Sequence, residues 1–439
     1  MSDFLVNFIK DDKKKPKEGT GISFIDNDEP ALSNELPASK APKTPRAKEG
    51  GKFLKTDDAI HVKFKPRGQA EENIIIPRLK KGLMTFLNKS VIFYGPSGSG
   101  KTILMKDYMY IMRKLFPIVF AFAPTNYEKH DFDKVVPIPL VFEEFGLADI
   151  KNVYQRQRAA ASIYNTANDL AVLKSLFHKV ADARARQFAG RMMVLREKAR
   201  KQTEETYAND VAIRKAKIEE IEDMFKNKLI RFFKQVITPK VKRLNQMNLT
   251  KEERYAIEYI NFNAHILVVF DDATDEILSI IKEGKKKKKG EEQGKNEETV
   301  KSFFFKGRWA YITHWYAFHD DAGLDAGIRK NAFYSIFTDK STALTFFQRP
   351  ANGFGALEKK RAEAIINAVF DEKQAPEWSK LVYSRIEKKF YYVVAEPHED
   401  FQMCAKIVRQ YCDKSGRKGA AVDTSNPYLS RFTDKIDNA

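Results

Sequence analysis

The chain has 439 residues, enough for two or three domains or for one large α/β domain with insertions. Charged residues make up 31% of it, and 77 Lys and Arg against 59 Asp and Glu give a formal net charge of +18. This charge favours a polyanionic partner, nucleic acid first and an acidic membrane surface second, with plain solvation as the alternative. No apolar run approaches the roughly 18 residues needed to cross a bilayer, and the N-terminal segment is too short and too acidic for a signal peptide.

The two cysteines indicate the compartment in which the protein functions. The two cysteines, Cys404 and Cys412, have a spacing that matches no zinc or redox motif, so we expect reduced thiols. The sequence therefore predicts a soluble protein of a reducing, intracellular compartment.

Residues 1–70 are rich in Lys, Pro, Ser, Gly and acidic side chains. Such a composition buries too little apolar surface to offset chain entropy, so this segment is predicted to be a disordered basic tail. Residues 71–147 begin an α/β pattern, with a buried strand predicted at Ser90–Tyr94, a helix at Ile103–Lys114 and a second strand at Ile118–Phe122. The run 135–142 contains two prolines and is therefore predicted to be an edge strand or an extended connection.

Between the first strand and the first helix lies a match to the phosphate-binding pattern G-x-x-x-x-G-K-[ST] at every fixed position. Its residues are Gly95, Pro96, Ser97, Gly98, Ser99, Gly100, Lys101 and Thr102. Glycines let the loop fold around phosphates with its N–H groups pointing inward, and the helix N-terminus adds positive partial charge. The motif predicts ATP as ligand, with Lys101 on the β- and γ-phosphates and the Thr102 hydroxyl on Mg²⁺.

Residues 148–262 change character, with few glycines and apolar residues at helical spacing. They are predicted to form a helical insertion, in which Thr250 and Glu253 make a capping box that starts a helix running to about Tyr259. A lid, a packing arm and a nucleic-acid contact remain open as its role.

The α/β pattern resumes over residues 263–414, the second part of the same nucleotide-binding core. It contains predicted strands at 309–313, 331–337 and 390–394 and a helix at 356–370, and residues 415–439 form a C-terminal tail. The fold class predicted is therefore α/β, a P-loop NTPase with a mostly parallel central sheet flanked by helices.

A pair of acids ends the buried strand that starts at His265. Asp271 is predicted to bind Mg²⁺, and Asp272 to orient or deprotonate the attacking water. Two acids after an apolar run are common at strand ends, but together with the glycine loop they indicate an ATPase site.

Four more residues are candidates for catalysis. Thr313 ends the predicted strand 309–313 and His314 follows it, at the point where motor ATPases carry a polar residue that senses the γ-phosphate. For His314 an ordinary loop histidine is the alternative. Arg308 and Arg329 are candidates for an arginine finger offered to a neighbouring subunit, with solvent exposure as the alternative.

A run of five lysines at 285–289 lies in a predicted mobile loop, 283–299. In a ring-shaped motor, lysines on such a loop would contact DNA phosphates without reading sequence, while simple solvation is the alternative.

The order and spacing of four segments resemble the poxvirus-type genome-packaging ATPases of the nucleocytoplasmic large DNA viruses, a branch of the FtsK–HerA superfamily. The segments are 95–102, 269–272, 306–314 and 327–333, and the resemblance covers roughly residues 75–400. It departs from the family at Thr313-His314, where the family has a Thr-Gln pair.

The resemblance implies an ATP-driven motor that moves double-stranded viral DNA into a preformed capsid as a ring of identical subunits. It further implies capsid vertex proteins as partners and a location at the virus factory in the host cytoplasm or with the virion. Two alternatives stay open: a DNA helicase or repair-type ATPase, and a nucleotide-regulated structural capsid protein with little turnover.

Overall fold

The computed structural model describes residues 59–415, except positions 67, 69, 210, 286–294, 320–325, 372 and 374. Most of the predicted N-terminal tail, four of the five clustered lysines and the C-terminal tail beyond residue 415 lie outside the described residues. Within the predicted tail, Ala59–Phe64 is a β-strand, so ordered structure begins earlier than the composition suggested.

Ten strands occur in the described part of the chain. They are β1 (Ala59–Phe64), β2 (Glu72–Pro77), β3 (Ser90–Tyr94), β4 (Ile118–Phe122), β5 (Val141–Phe142), β6 (Ile266–Asp271), β7 (Ile312–Phe318), β8 (Tyr334–Phe337), β9 (Ser379–Ser384) and β10 (Lys389–Val394). Strands β1 and β2 form an antiparallel hairpin.

The helices of the described residues are α1 (Lys101–Met112), α2 (Asn126–Lys129), α3 (Leu147–Ala167), α4 (Leu170–Val180), α5 (Ala183–Thr206), α6 (Val211–Ile237), α7 (Val241–Leu244), α8 (Lys251–Glu258), α9 (Thr274–Lys285), α10 (Lys295–Lys306), α11 (Ala326–Asn331), α12 (Lys340–Gln348), α13 (Ala356–Val369) and α14 (Lys406–Ser415). Short 3₁₀ helices lie at Ile138–Leu140, Thr238–Lys240, Gly307–Ala310 and Pro350–Asn352. The predicted loop 283–299 is thus helical at both of its ends.

A central sheet of eight strands has the order β10-β9-β8-β3-β7-β6-β4-β5. The strands from β8 to β5 run parallel, and β9 pairs antiparallel with β8 and with β10. This confirms the predicted α/β class with a mostly parallel sheet. Because the parallel strands share one direction, their carboxyl ends meet at a single edge, where open α/β sheets bind ligands.

Both faces of the sheet are covered, which explains why its central strands read as continuous apolar runs. Along β3, Ile92 and Tyr94 point into one core and Val91 and Phe93 into the other. Helix α1 packs on the second face through side chains such as Leu104. Helices α3, α9, α10, α12 and α13 pack on the first face.

The helices between β5 and β6 divide into two groups. Helix α3 packs on the sheet through Leu147, Ile150 and Val153, although it lies in the segment predicted as an insertion. Helices α4–α8 bury a core of their own, which includes Phe177 and Phe233. The α4–α8 group is called the arm below.

The capping box predicted at the start of α8 is confirmed. The Glu253 N–H donates to Thr250 Oγ1 at 3.2 Å, and the Thr250 N–H donates to Glu253 Oε2 at 3.0 Å. The strands β1, β2 and β9 were not predicted, and β8 is shorter than the predicted 331–337. The difference that matters for the site is in β7, which covers 312–318 rather than 309–313 because the apolar run continues through Trp315 to Phe318. This shift moves two predicted site residues to the other edge of the sheet.

Candidate nucleotide site

The glycine loop lies at the carboxyl edge of the sheet, between β3 and α1. The Gly95 N–H donates to the Phe318 carbonyl at the end of β7 (3.1 Å), and the Ser99 N–H donates to the Pro96 carbonyl (3.3 Å). Gly100, with φ +91°, caps the N-terminus of α1. The loop therefore turns within a few residues from a buried strand into a helix whose first N–H groups lack intrahelical acceptors, the geometry that binds phosphate.

Gly95 is required by close packing as well as by backbone angle. Its φ is +155°, and a Cβ added there would lie 2.1 Å from Thr338 Oγ1 and 2.6 Å from Ser99 Oγ. Thr338 follows β8, and its hydroxyl donates to the Tyr94 carbonyl at 3.0 Å. A residue from a neighbouring strand thus holds the base of the loop, and only glycine leaves it room.

Lys101 is folded back into the loop and is 6% exposed. Its ammonium group donates to the carbonyls of Gly95 (2.6 Å) and Pro96 (3.0 Å). Burial lowers the pKa of Lys101, whereas the negative charges of Asp272 and Asp271 raise it. The two predicted acids therefore lie within electrostatic range of the predicted phosphate-binding lysine.

A second lysine supports the loop from behind. Lys380 of β9 donates to the carbonyl groups of Ser99 (2.9 Å) and Thr338 (3.1 Å) and is 7% exposed. Burial lowers its pKa, while the charge of Asp339 raises it. Its cation adds to the positive potential at the loop and fixes the backbone that faces the phosphates.

The acidic pair ends β6 at the same edge. The Asp272 N–H donates to the Ala317 carbonyl at 3.1 Å, one residue before the Phe318 carbonyl that accepts from Gly95. The final two residues of β7 therefore join the glycine loop on one side to the acidic pair on the other. Segments that are about 170 positions apart in sequence meet across one strand, as a nucleotide site requires.

Asp271 is almost fully buried, at 4% exposure. Burial raises its pKa to about 7, and the neighbouring charge of Asp272 adds to that effect, while Lys129 and Lys101 oppose it. A cation bound next to Asp271 would therefore stabilise the charged form of this buried carboxylate.

Asp272 has a left-handed backbone, φ +51°, which Asp tolerates better than most residues and which occurs often at functional sites. Among the described residues, two side chains contact its carboxylate. Lys129 Nζ lies 2.8 Å from Oδ2, and His319 Nε2 lies 3.4 Å from Oδ1. His319 is the first residue after β7.

These features identify the architecture: a phosphate loop after β3, an acidic pair after β6, and β7 between them in a parallel sheet with helices on both faces. The chain has the P-loop NTPase fold. The candidate nucleotide site is the edge of the sheet that contains the glycine loop, the acidic pair and His319.

The Mg²⁺ site was predicted at Thr102 and Asp271. Mg²⁺ prefers oxygen ligands and commonly takes one or two protein oxygens together with substrate phosphates and water. Thr102 in the first turn of α1 supplies a hydroxyl, and the buried Asp271 supplies a carboxylate that lacks full compensation for its charge. The residues present fit the ion when nucleotide phosphates complete its shell.

The sensor assignment to Thr313 and His314 is wrong for the geometry of a single subunit. Both lie at the start of β7, because Ser90, the first residue of β3, pairs with His314. Thr313 Oγ1 accepts the Asn88 N–H at 2.8 Å, and Thr313 is fully buried. They are thus at the amino edge of the sheet, opposite the nucleotide site.

His314 is built into the core there. Its ring packs against Phe303 and Tyr316, and a Cβ on Gly307 would lie 2.4 Å from His314 Cε1. Burial lowers the pKa of His314 to about 3, so the ring is neutral near pH 7. His314 is a packing residue that cannot reach phosphates bound at the other edge.

The two candidate arginines also lie at the amino edge of their own subunit. Arg308 precedes β7 and stacks over the rings of Trp309 (4.9 Å) and Phe333 (5.6 Å). The carbonyl of Arg329 accepts a hydrogen bond from Arg385 Nη1 at 2.9 Å. Neither contributes to the site of its own subunit, and a role toward a neighbouring subunit stays a prediction.

Sequence reasoning missed three residues of the site: Lys129, His319 and Lys380. For His319 a signal existed, since the apolar run from Trp315 to Phe318 ends directly before it. Lys380 lies on a strand that was not predicted. Lys129 follows β4 in a short helix, and no local pattern indicates that it reaches Asp272.

Comparison with known proteins gives distant relatives. No family model matches the chain. The chain is 28% identical over 378 residues to the uncharacterized protein B354L of African swine fever virus, isolate Pig/Kenya/KEN-50/1950, covering 82% of this chain and 96% of that protein. The predicted resemblance to proteins of large DNA viruses is confirmed by this relative.

Solved structures give lower similarity. One is the genome packaging NTPase B204 of Sulfolobus turreted icosahedral virus 2, with a TM-score of 0.30 and 11% identity over 72% of this chain and 98% of that chain. Another is the conjugation coupling protein TcpA of pCW3, with a TM-score of 0.30 and 12% identity over 82% of this chain and 72% of that chain. None of the helices described for the present chain is long and apolar enough to cross a membrane.

Proposed function

We propose that this protein hydrolyses ATP and uses the energy to move double-stranded viral DNA into a preformed capsid. The observation that carries the ATPase part is the pair of backbone hydrogen bonds at the end of β7, from Gly95 to Phe318 and from Asp272 to Ala317. They bring a phosphate loop and a carboxylate pair to opposite sides of one strand end.

In the proposed reaction, water attacks the γ-phosphorus in line with the departing β-phosphate oxygen. Lys101 exchanges its contacts with loop carbonyls for the β- and γ-phosphates, while the N–H groups of the loop hold the remaining oxygens. Asp272 orients the water and accepts its proton. Mg²⁺ held by Thr102 and Asp271 would neutralise charge that develops on the β- and γ-phosphates.

His319 takes the position proposed earlier for Thr313 and His314. It follows β7, its imidazole is 56% exposed, and its Nε2 lies 3.4 Å from Asp272 Oδ1. A donor beside the carboxylate that handles the attacking water also lies near the γ-phosphate, so His319 is our candidate γ-phosphate sensor.

The charge of the chain supports DNA as the polymer. Residues 148–262 contain 24 Lys and Arg against 14 Asp and Glu, so a net +10 of the total +18 falls in this quarter of the chain. Between Asp223 and Glu252 there is no acidic residue, while eight are basic: Lys226, Lys228, Arg231, Lys234, Lys240, Lys242, Arg243 and Lys251. A stretch with many basic and no acidic residues is suited to contact the phosphate backbone of DNA.

The viral context rests on the four resembling segments and on the relative from a large DNA virus. On this basis we propose a homo-oligomeric ring, docking to capsid vertex proteins, and a location at the virus factory or with the virion. Arg308 or Arg329 would supply a finger to the neighbouring site, which would make turnover depend on assembly.

ATP turnover should be measured with and without double-stranded DNA, together with the mass of the assembled particle, for the wild type and for Lys101→Ala. We expect turnover that DNA stimulates in an assembled oligomer, and loss of at least about 100-fold in Lys101→Ala, because the lost cation contacts the transferred phosphoryl group. Strand separation in an unwinding assay would favour a helicase. Slow turnover that ignores DNA and assembly would favour a structural capsid protein.

The DNA contact is tested by reversing two exposed charges of the acid-free stretch, Lys242→Glu with Arg243→Glu. Affinity for double-stranded DNA should fall about 10-fold or more, and the slope of log affinity against log salt should become shallower by about 2, since two phosphate contacts are lost. Lys388→Glu with Lys389→Glu, at the β9–β10 turn, makes the same charge change as a control. Equal losses of DNA affinity in both double variants would show that net charge alone, and not a contact at Lys242 and Arg243, causes the effect.

A further inference from the structure

Lys129 contacts the acidic pair from a segment outside every motif of the sequence. It ends the short helix α2, which follows β4, and its ammonium group donates to Asp272 Oδ2 at 2.8 Å. We infer that Lys129 is a positioning residue for hydrolysis, which fixes the Asp272 carboxylate so that its other oxygen faces the attacking water. This inference rests on the proposed ATPase function.

The segment that carries Lys129 is held by a buried amide. Asn126 is 2% exposed, its Nδ2 donates to Asp133 Oδ1 at 2.7 Å, and its Oδ1 accepts the Phe132 N–H at 3.1 Å. The chain leaves α2 through His130, which has φ +52° and whose N–H donates to the Asn126 carbonyl at 2.7 Å. A lysine on such a braced turn loses less freedom on pairing than one on an open loop.

The same segment also contacts the helix that begins with the phosphate loop. Lys106 of α1 pairs with Asp131 at 3.3 Å. Residues 126–133 are therefore tied to α1 through Asp131 and to the acidic pair through Lys129. Lys129 thus approaches Asp272 from a support that is fixed to both halves of the nucleotide site.

The two oxygens of Asp272 are in different environments. Oδ2 accepts from Lys129, whereas Oδ1 is buried and makes no hydrogen bond to the described residues, with His319 Nε2 at 3.4 Å. A carboxylate that must take a proton from water needs one fixed orientation and one oxygen kept for the water. The Lys129 contact supplies the first, and it leaves Oδ1 without a hydrogen bond to the described residues.

Charge balance supports the same role. Asp271 and Asp272 are adjacent carboxylates, and among the described residues Lys129 donates a hydrogen bond to Asp272. The pKa of Lys129 is raised chiefly by its hydrogen bond to Asp272, so the lysine stays charged near pH 7. An ion pair at a fully exposed surface contributes little, but Asp272 is only 11% exposed, so the contact fixes geometry more effectively.

The test compares Lys129→Met with Lys129→Arg in the full-length protein. We expect Lys129→Met to lower kcat by about 10- to 100-fold while KM for ATP and the affinity for a non-hydrolysable analogue stay within about 3-fold, because orientation is lost and phosphate binding is kept. Lys129→Arg should keep kcat within about 5-fold, since a cation remains in reach of Oδ2. Lys134→Met is the matched control, because Lys134 is an exposed lysine five residues further along the same chain. Its kcat and KM should equal those of the wild type.

A double-mutant cycle with Asp272→Asn separates action through Asp272 from a direct contact with phosphate. If Lys129 acts through Asp272, adding Lys129→Met to Asp272→Asn should change the residual kcat by less than about 2-fold. Losses that multiply would overturn the inference, because they would show an independent role. A merely structural role is checked by Tm, which should stay close to that of the wild type in Lys129→Met.

The wild type and Lys101→Ala in the same assay keep the two proposals apart. Turnover in the wild type above Lys101→Ala, with Lys129→Met unaffected, would overturn the role of Lys129 and leave the ATPase standing. Equal rates in the wild type and Lys101→Ala would overturn both.

Discussion

Both ends of β7 have a histidine, but the two histidines lie in different surroundings. At the carboxyl end, the carbonyls of Ala317 and Phe318 bind the acidic pair and the glycine loop, and His319 is more than half exposed beside Asp272. At the amino end, Thr313 and His314 are fully buried in packing contacts. Polar residue type therefore predicts little about function in a parallel sheet until the strand direction and its last residue are known.

The difference follows from backbone geometry. At the carboxyl end the strands turn outward into loops, and the glycine loop exposes N–H groups while helix α1 begins there. At the amino end the 3₁₀ turn at Gly307–Ala310 closes over His314, and Gly307 leaves no room for another side chain. One end can hold a substrate, and the other end stabilises the sheet.

The largest effect at the carboxyl end is expected for Asp272→Asn. The substitution keeps size and some hydrogen bonding but removes the group that accepts the proton, so kcat should fall by about 100- to 1,000-fold. Nucleotide affinity, measured with a non-hydrolysable analogue, should change by less than about 3-fold. Loss of binding equal to that of Lys101→Ala would contradict the separate roles of the lysine and the carboxylate.

A pair of histidine variants compares the two ends directly. His319→Ala should lower kcat by about 10-fold with little change in Tm, since an exposed donor near the γ-phosphate is lost, and His319→Gln should recover most of the rate. His314→Ala should instead lower the free energy of unfolding by about 2–4 kcal/mol through a cavity in the core. For the folded fraction of His314→Ala, kcat should match the wild type. The reverse pattern would place the sensor at the amino end after all.

The smallest expected effect is the change in the free energy of unfolding with pH. Asp271, at the carboxyl end, lowers stability at high pH, whereas His314, at the amino end, lowers it at low pH. The pKa of Asp271 is raised by burial to about 7, so the folded state is penalised as pH rises above about 4, with the full penalty above about 7. Asp271→Asn should therefore raise the free energy of unfolding at pH 8 by about 1–3 kcal/mol and give no gain near pH 4.

The contribution of His314 to the pH dependence of stability has the opposite sign. Burial lowers its pKa to about 3, so the unfolded chain takes up the proton first and stability is lost as pH falls from about 6.5 toward 3. Urea unfolding of the wild type, Asp271→Asn and His314→Gln at pH 5 and pH 8 checks both. The wild-type-to-variant difference should grow with pH for Asp271→Asn, and His314→Gln should lose less stability than the wild type between pH 8 and pH 5. Differences that do not vary with pH would contradict the burial argument at both ends.

Features that depend on near neighbours could be predicted from the amino-acid sequence. The glycine loop, the buried strand before it, the capping box at Thr250 and the helical nature of residues 148–262 all follow from patterns a few residues long. The acidic pair was also found, because it ends an apolar run that is unambiguous in length. Local patterns determine such elements since their hydrogen bonds and apolar periodicity close within the segment.

The polar residues that lie near the glycine loop and the acidic pair could be identified only from the folded chain. The strand predicted at 309–313 lies at 312–318, so His314 is at the amino edge and His319 follows the carboxyl end; we therefore moved the proposed sensor from His314 to His319. Lys129 and Lys380 reach the site from β4 and β9, and their partners are 143 and 281 positions away in sequence. Contacts between such distant residues arise from strand order, which depends on how the whole chain packs around both faces of the sheet.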